Sequence, residues 1–153
     1  MLFLEKAIYD FLNADTELVA LLSHTASVPK IFSSFPDKLA KYPCVAFWDE
    51  SSRNQSANID EIEASIINFG VFSGVDDTVT YNGWATRGKL LNRRISRRLQ
   101  DILSPGNMQD ANLSNSQVQI DAVLFVNRLP IRYEYEESVY RSDLTYQMNW
   151  YEK

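Results

Sequence analysis

The sequence predicts an α+β fold in which two helices pack on a mostly antiparallel, four-stranded sheet, in the order α-β-β-α-β-β. Three observations lead to this fold class: apolar residues recur at helical spacing in two stretches, they alternate with polar residues in four others, and no linker or internal repeat divides the chain. The 153 residues, 45% of them apolar, suffice for one core. We therefore expect a single domain over residues 1–153.

The first helix is predicted at the N-terminus, where Leu4, Ile8 and Leu12 share one helical face. Asp15 can cap a continuation of this helix, so we expect a break near Asn13. In this continuation the apolar face is formed by Leu18, Val19, Leu21 and Leu22.

The second helix is expected to take its caps from residues 76–78, to be established by Asn82 and to stop at residues 104–106, which read Ser-Pro-Gly. One apolar stripe runs along it and should pack on the sheet. The stripe consists of Trp84, Gly88, Leu91, Ile95, Leu99 and Ile102.

Alternation predicts four strands, over residues 43–48, 59–73, 118–126 and 143–150. The second changes phase near Ile66, which indicates a bulge or a change of packing there. The third should end at Leu129 and Pro130. In the fourth, Leu144, Tyr146 and Met148 alternate with polar residues, so one face should be buried.

A polar arm is predicted between the first two strands. Between Asp49 and Asn58 every residue except Ala57 is polar or charged, which suits a hairpin loop or a segment that orders only against a partner. Because the stretch has no apolar anchor of its own, we predict that it is mobile, together with Asp60 and Glu61, and serves as a contact arm. Its candidate contact residues are Asp49, Glu50, Arg53, Asn54 and Gln55.

No catalytic, cofactor or metal site is predicted. Cys44 is the one cysteine and His24 the one histidine, so neither an internal disulfide nor a His/Cys zinc site is expected. We interpret Cys44 as a small buried residue on a strand, and His24 as a structural residue that caps a helix or faces solvent. The five glycines form no phosphate-binding motif, and no serine lies in a nucleophile motif. We therefore expect no enzyme activity.

Apolar runs in the sequence are only a few residues long, far below the ~20 that cross a bilayer. Residues 1–6 also lack a basic leader. We expect neither a membrane span nor secretion.

Positive charge is concentrated in one segment. Residues 87–98 contain six basic side chains and no acidic one, which leaves nine basic against 20 acidic residues elsewhere. Pairs such as Arg93 and Arg97 would destabilise a helix by about 0.2 to 0.5 kcal/mol each unless something neutralises them. Leu90 lies on the same face, and the sequence indicates nothing that covers it. The candidate subunit interface is therefore Arg87, Leu90, Arg93, Arg94, Arg97 and Arg98.

Three interpretations of this basic segment remain open. Its arginines can form a solvated face and pair with acids of the same chain, for example Glu134, Glu136 and Glu137. They can instead contact the acidic surface of a neighbouring subunit. They can also bind nucleic acid, although a pI of 4.9 and the surplus of acids elsewhere argue against a dedicated nucleic-acid-binding protein.

Short motifs follow one another through the first third of the chain. Residues 7–15 read AIYDFLNAD, followed by LVALL at 18–22, KIF at 30–32 and YPCVAF at 42–47. This series, together with the order of elements, the polar arm and the arginine-bearing helix before the last two strands, resembles the tail-completion (tail terminator) proteins of long-tailed bacteriophages.

The resemblance implies a structural virion protein without an active site. Proteins of this family form a ring, usually a hexamer, that caps the finished tail tube and joins it to the head connector around a DNA channel. The implied partners are copies of the chain itself, a tail-tube protein and a head connector or head-completion protein, with DNA only in transit. The implied location is the tail-to-head junction of a virion assembled in the host cytoplasm.

Two alternatives to this function stay open. Within the same class, the chain is another neck adaptor or a head-completion protein. From a different class, it is a small ligand-binding domain or an enzyme, which would need a concave apolar pocket with convergent polar groups.

Overall fold

Three helices and seven strands make up the described part of this computed structural model. It covers residues 2–34, 36, 41–56, 59–104 and 112–153, with 2, 51–56 and 59–61 described by their backbone alone. The helices are α1 (Leu2–Ala14), α2 (Thr16–Leu22) and α3 (Gly88–Leu103). The strands are β1 (Ile31–Phe32), β2 (Cys44–Ser56), β3 (Ile59–Gly74), β4 (Thr78–Tyr81), β5 (Trp84–Arg87), β6 (Val118–Glu134) and β7 (Val139–Glu152).

Five of the strands form one mixed sheet in the order β1-β2-β3-β7-β6. β1 runs parallel to β2, whereas the other neighbouring pairs of this sheet are antiparallel. β4 and β5 form a separate two-stranded antiparallel sheet. The prediction of two helices on a four-stranded sheet in the order α-β-β-α-β-β is therefore wrong: the chain has one more helix and three more strands in its described part.

The extra helix arises from the cap at Asp15. α1 ends at Ala14, and the Asp15 carboxylate accepts a hydrogen bond from the Leu18 backbone N–H at 2.9 Å, which starts α2 as an independent helix. The extra strand β1 lies between α2 and β2. There Ile31 pairs in parallel with Val45 of β2.

The β4–β5 hairpin lies where the second helix was expected to begin. Its turn residues Asn82 and Gly83 have φ of 52° and 74°, and two positive φ angles are what a type I′ turn requires. α3 consequently begins only at Gly88, and Trp84 lies on β5 with 60% of its surface exposed. The remainder of the predicted stripe is confirmed as the inward face of α3: Gly88, Leu91, Ile95, Leu99 and the partly buried Ile102.

The three helices and one face of the five-stranded sheet enclose the main core. Every second residue of the central strands points into it, as the period of a strand dictates. The alternation predicted for the last strand is confirmed. The sheet residues of this core include Val45, Phe47, Ile67, Phe69, Val71, Leu144, Tyr146, Met148 and Trp150.

Register shifts change which residues face this core. Asp49 pairs with Ile67 and Ser51 with Ile66, so the phase change predicted near Ile66 is met by an extra residue on the facing strand. On β6 a similar shift next to Asp121 brings Val123 into the core.

The predicted polar arm is largely regular strand. β2 continues to Ser56 and pairs with β3, with Ser52 opposite Ser65 and Ser56 opposite Ile59. The hairpin-loop interpretation is therefore wrong for residues 49–56, because backbone pairing with β3 extends further than side-chain polarity indicates. Residues 57–58 lie outside the described residues.

Candidate interaction surface on the arginine helix

A buried polar network fixes the rotation of α3 on the sheet. Asn92 donates hydrogen bonds to the backbone oxygens of Val71 and Tyr140, at 2.9 and 3.0 Å. Its side-chain oxygen accepts a hydrogen bond from Ser142 at 2.7 Å, and the hydroxyl oxygens of Ser142 and Ser96 are 2.5 Å apart. Rotating the helix would leave these buried groups unpaired, so the network determines which side chains face outward.

Gly88 allows the helix to begin where it does. Its φ is +54°, and a Cβ atom at this position would lie 2.8 Å from the backbone oxygen of Val75. The carbonyl oxygen of Gly88 accepts a hydrogen bond from the buried Ser73 hydroxyl at 2.9 Å. A larger residue would force α3 away from the end of β3.

Arg94 holds the β4–β5 hairpin against α3. Its guanidinium lies 4.3 Å from the centre of the Trp84 ring and 5.5 Å from that of Tyr81. It also donates hydrogen bonds to the backbone oxygens of the same two residues, at 3.0 and 3.1 Å. This arginine therefore stabilises the hairpin.

Arg98 joins α3 to α2. It donates two hydrogen bonds to Asp15, at 2.5 and 2.9 Å, and lies 3.3 Å from the Glu17 carboxylate. The hydrogen bond from Arg98 is the main reason why the pKa of Asp15 lies below its ordinary value; burial opposes this shift and the Leu18 N–H adds to it. Asp15 thus caps α2 and anchors Arg98 at once. At the start of the segment, Arg87 pairs with Asp76.

The basic residues of the segment therefore differ in role. Arg87, Arg94 and Arg98 have intrachain partners, but these are Asp76, Asp15, Glu17 and the hairpin, and not the three glutamates expected from the sequence. Among the described residues, the exposed side chains of Arg93 and Arg97 have no ion-pair partner. Leu90, which lines the same cleft as these two arginines, is 61% exposed. Contact between this surface and another subunit stays a prediction.

Two open clefts lie beside the exposed row of α3, which consists of Leu90, Arg93 and Arg97. The larger has a volume of about 370 Å³ and lies between the hairpin, α2 and α3. The smaller, about 290 Å³, lies between α3 and β6. The larger cleft is lined by Glu17, Trp84, Leu90, Arg93, Arg94, Arg97, Arg98 and Asp101. The smaller is lined by Lys89, Arg93, Arg128, Pro130 and Ile131.

Of the residues predicted as a contact arm, Asp49 and Glu50 are not among the residues that line these clefts. Asp49 is half-buried on β2, and the Glu50 carboxylate accepts a hydrogen bond from the Trp48 indole at 3.0 Å. The side chains of Arg53, Asn54 and Gln55 lie outside the described residues. Their role in contacts stays a prediction.

The edge strand β6 exposes apolar side chains. Four of them are between 47% and 51% exposed, and three of the four are consecutive, so both faces of the strand carry them. The exposed side chains are Leu124, Phe125, Val126 and Leu129. An exposed apolar edge can pair with another chain unless something blocks it.

The strand β6 is also longer than predicted. The prediction that the third strand ends at Leu129 and Pro130 is wrong, since β6 continues to Glu134.

The unusual titratable groups near α2 are structural. His24 is buried: its Nδ1 accepts a hydrogen bond from the Lys30 backbone N–H at 2.9 Å, and burial lowers its pKa. The Lys30 amine donates to the backbone oxygens of Leu22 and Tyr42, at 3.4 and 3.3 Å. Cys44 is confirmed as a buried strand residue, and burial raises the pKa of its thiol to about 12, which makes it unreactive.

A second buried charge lies on the sheet face opposite the helices. Asp143 accepts hydrogen bonds from Asn68 at 2.9 Å and Arg132 at 2.7 Å, and Arg141 lies 3.2 Å from it. Burial acts to raise the pKa of Asp143, but these hydrogen bonds outweigh burial and hold the pKa below its ordinary value. This cluster ties β3, β6 and β7 together.

No group of His, Cys, Asp and Glu in the described chain has the arrangement of a metal site. Among the same residues, no helix combines the length and the apolar character needed to span a membrane.

No protein-family model matches the sequence, and no curated protein sequence matches it either. Comparison of the fold with solved structures finds a chain of the "Virion of native gene transfer agent (GTA) particle". The two chains share a fold. The TM-score is 0.57 over 97% of this chain and 94% of that chain, at 13% sequence identity.

Two parts of the surface around α3 were missed in the sequence. Trp84 was assigned to the buried stripe, although the Asn82-Gly83 dipeptide between two β-prone stretches is the strongest short signal for a hairpin. The exposed edge of β6 had a weaker signal: the run Leu124, Phe125 and Val126 does not alternate.

Proposed function

We propose that this chain is a structural protein of a phage-like virion that assembles as a ring, ends the tail tube and joins it to the head. The observation that carries the proposal is the extent of the fold match, which covers 97% of this chain and 94% of a chain from a gene transfer agent virion. Because one fold can serve unrelated functions, the finer assignment to the tail end rests on the N-terminal motifs that resemble tail-completion proteins.

The surface properties support assembly with other chains. The exposed apolar edge of β6 and the unpaired arginines of α3 are different kinds of surface on one molecule. Contacts between unlike surfaces are heterologous, and heterologous contacts generate rings when the rotation closes. By resemblance, we propose a hexamer. A net charge of −5 suits the wall of a channel through which DNA passes without being held.

The proposed role is non-enzymatic. Within the described residues, the groups with shifted pKa values are buried or partly buried, and His24 and Lys30 illustrate how such groups are hydrogen-bonded to their own fold. Basic and apolar side chains outnumber Glu17 and Asp101 in the lining of the exposed clefts, and such a lining suits contacts more than proton transfer.

Deleting the gene in the particle-producing host tests the proposal. We expect heads and tails that remain separate, with tail tubes of irregular length, in electron micrographs of lysates. Adding the purified chain to these tails should restore joining and place one ring at the tube end. A closed dimer that persists in the presence of tail tubes would contradict the ring.

The same micrographs address the alternative within this class. A head-completion protein or another neck adaptor acts on the head side, so its loss would leave tails of uniform length and heads that lose their DNA. Binding of the purified chain to isolated heads, and not to tails, would favour that alternative.

A further inference from the structure

The larger cleft on α3 combines exposed apolar side chains with a surplus of positive charge, since four arginines line it against Glu17 and Asp101. Trp84 and Leu90 are 60% and 61% exposed there. Arg93 and Arg97 line the same cleft, and no described acid lies within ion-pair distance of them. Such a surface fits a segment that offers an aromatic ring beside carboxylates.

The turn between β6 and β7, residues 135–138, offers these groups. Tyr135 is 85% exposed and is flanked by exposed Glu136 and Glu137, which have no ion-pair partner among the described residues. The Tyr135 ring lies edge-on against Tyr133, with 4.9 Å between centroids. Tyr133 in turn packs on Tyr140 at 5.3 Å, so the exposed ring is oriented before any partner binds.

We infer that the 135–138 turn of one copy docks in the α3 cleft of the next copy. Tyr135 would contact Trp84 and Leu90, while Glu136 and Glu137 would pair with the two exposed arginines. The contact relieves the repulsion between like charges along α3 and covers apolar surface on both copies.

This contact is heterologous, because the turn and the cleft are different surfaces. Each copy uses its turn toward one neighbour and its cleft toward the other, which is the arrangement that a closed ring requires. The inference rests on the proposed function in that it supplies one interface of the proposed ring. It names the residues that form the interface and the direction in which the copies follow one another.

Site-specific disulfides test the contact in the purified chain. The buried Cys44 thiol does not compete, so Leu90→Cys and Tyr135→Cys chains can be mixed at high concentration and oxidised. We expect cross-linked dimer in the mixture, and far less in either variant alone, since only the mixture brings a cleft thiol to a turn thiol. Even a weak contact is trapped in this way.

Charge reversal provides the matched control. Adding Glu136→Lys and Glu137→Lys to the Tyr135→Cys chain should reduce cross-linking by more than about tenfold, because like charges then face each other. Adding Arg93→Glu and Arg97→Glu to the Leu90→Cys chain should restore it. Thermal melting by circular dichroism verifies that each variant folds.

Three results would overturn the inference. The first is cross-linking that neither charge reversal changes, and the second is Leu90→Cys chains that cross-link to each other as efficiently as the mixture does. The third is an absence of cross-linking in every combination. Retention of duplex DNA by the wild type in physiological salt, abolished by Arg93→Glu with Arg97→Glu, would assign the cleft to nucleic acid instead. The test needs no particles. If the cross-linking test fails while the purified chain restores tail joining, the proposed virion function is supported and only the contact between turn and cleft is rejected.

Discussion

Arg93 and Arg94 are neighbours in sequence, yet they belong to different regions of the molecule. Arg94 points to the flank of α3, where it stacks on Trp84 and bonds the hairpin backbone. Arg93 points to the exposed row, where the described structure gives it no ion pair. Consecutive residues of a helix point about 100° apart. Arg94 can therefore contact the hairpin while Arg93, the residue before it, remains exposed.

The helix α3 therefore has three sides that make different contacts. The inner side packs on the sheet through Ile95 and its apolar neighbours, and the flanks hold neighbouring elements through Arg94 and Arg98. The outer side, with Arg93 and Arg97, contributes little to the fold and remains for contacts. The cost of truncating a side chain should therefore fall from the inner to the outer side.

The largest effect is expected on the inner side. Ile95→Ala removes a fully buried side chain and should lower the free energy of unfolding by about 2 to 5 kcal/mol, through lost burial and a residual cavity. Urea denaturation followed by circular dichroism measures this loss. Leu90→Ala, on the outer side of the same helix, is the matched control and should change stability by less than about 0.5 kcal/mol. Equal losses would contradict the division into sides.

Arg98→Ala should come next, with a loss of about 1 to 2 kcal/mol near neutral pH. The folded pKa of Asp15 is lowered chiefly by Arg98, so its contribution is complete above the unfolded value, close to 3.8, and is lost as pH falls through the lower folded pKa. The difference between wild type and variant should therefore shrink in acid. Urea midpoints between pH 7 and about pH 2.5 measure it. A constant difference would mean that Arg98 acts through packing alone.

Arg94→Ala should cost about 1 kcal/mol, and the damage should be local. Without the guanidinium, the hairpin keeps its turn and the packing of Val79 in the core, but loses the ring and backbone contacts that Arg94 makes with it. Amide hydrogen exchange should accelerate in β4 and β5 while the core strands β3 and β7 stay protected. Arg93→Ala serves as the control, and faster exchange in that variant would show that the two arginines are not distinct.

The smallest effect is expected on the outer side. Arg93→Ala and Arg97→Ala should each leave stability within about 0.5 kcal/mol of the wild type, and removing their mutual repulsion should act in the stabilising direction. Thermal melting at low and moderate salt measures this. A larger loss in either variant would indicate an intrachain partner for that arginine.

The sequence predicted the inner side of α3 well, since Leu91, Ile95 and Leu99 recur at helical spacing and burial follows such periodicity closely. It could not separate Arg94 from Arg93, because the difference depends on a hairpin that arrives from earlier in the chain. The sequence predicts helix caps at Asp76 to Thr78, where the structure has a turn that leads into β4. The signal that indicates the hairpin is the Asn82-Gly83 dipeptide, in which both residues have positive φ.

Elsewhere, the predicted and observed strands differ because strands that are distant in sequence pair with each other. A strand of two residues such as β1 is too short to show an alternation of apolar and polar residues. It forms because Ile31 pairs with Val45 on β2. The polar stretch after Trp48 is strand because β3 lies beside it, whatever its side chains prefer. Bulges change the phase of β6, so the alternation that identifies the strand does not identify its buried side.

Trp84 also gives the molecule an optical property. Trp150 is buried and Trp48 half-buried, so Trp84 is the indole most open to water. Its emission should lie at the longest wavelength of the three and be the most readily quenched by acrylamide. Any molecule that fills the cleft would shift this emission to shorter wavelength and shield it from the quencher. The chain therefore reports the occupancy of its own cleft without an attached dye.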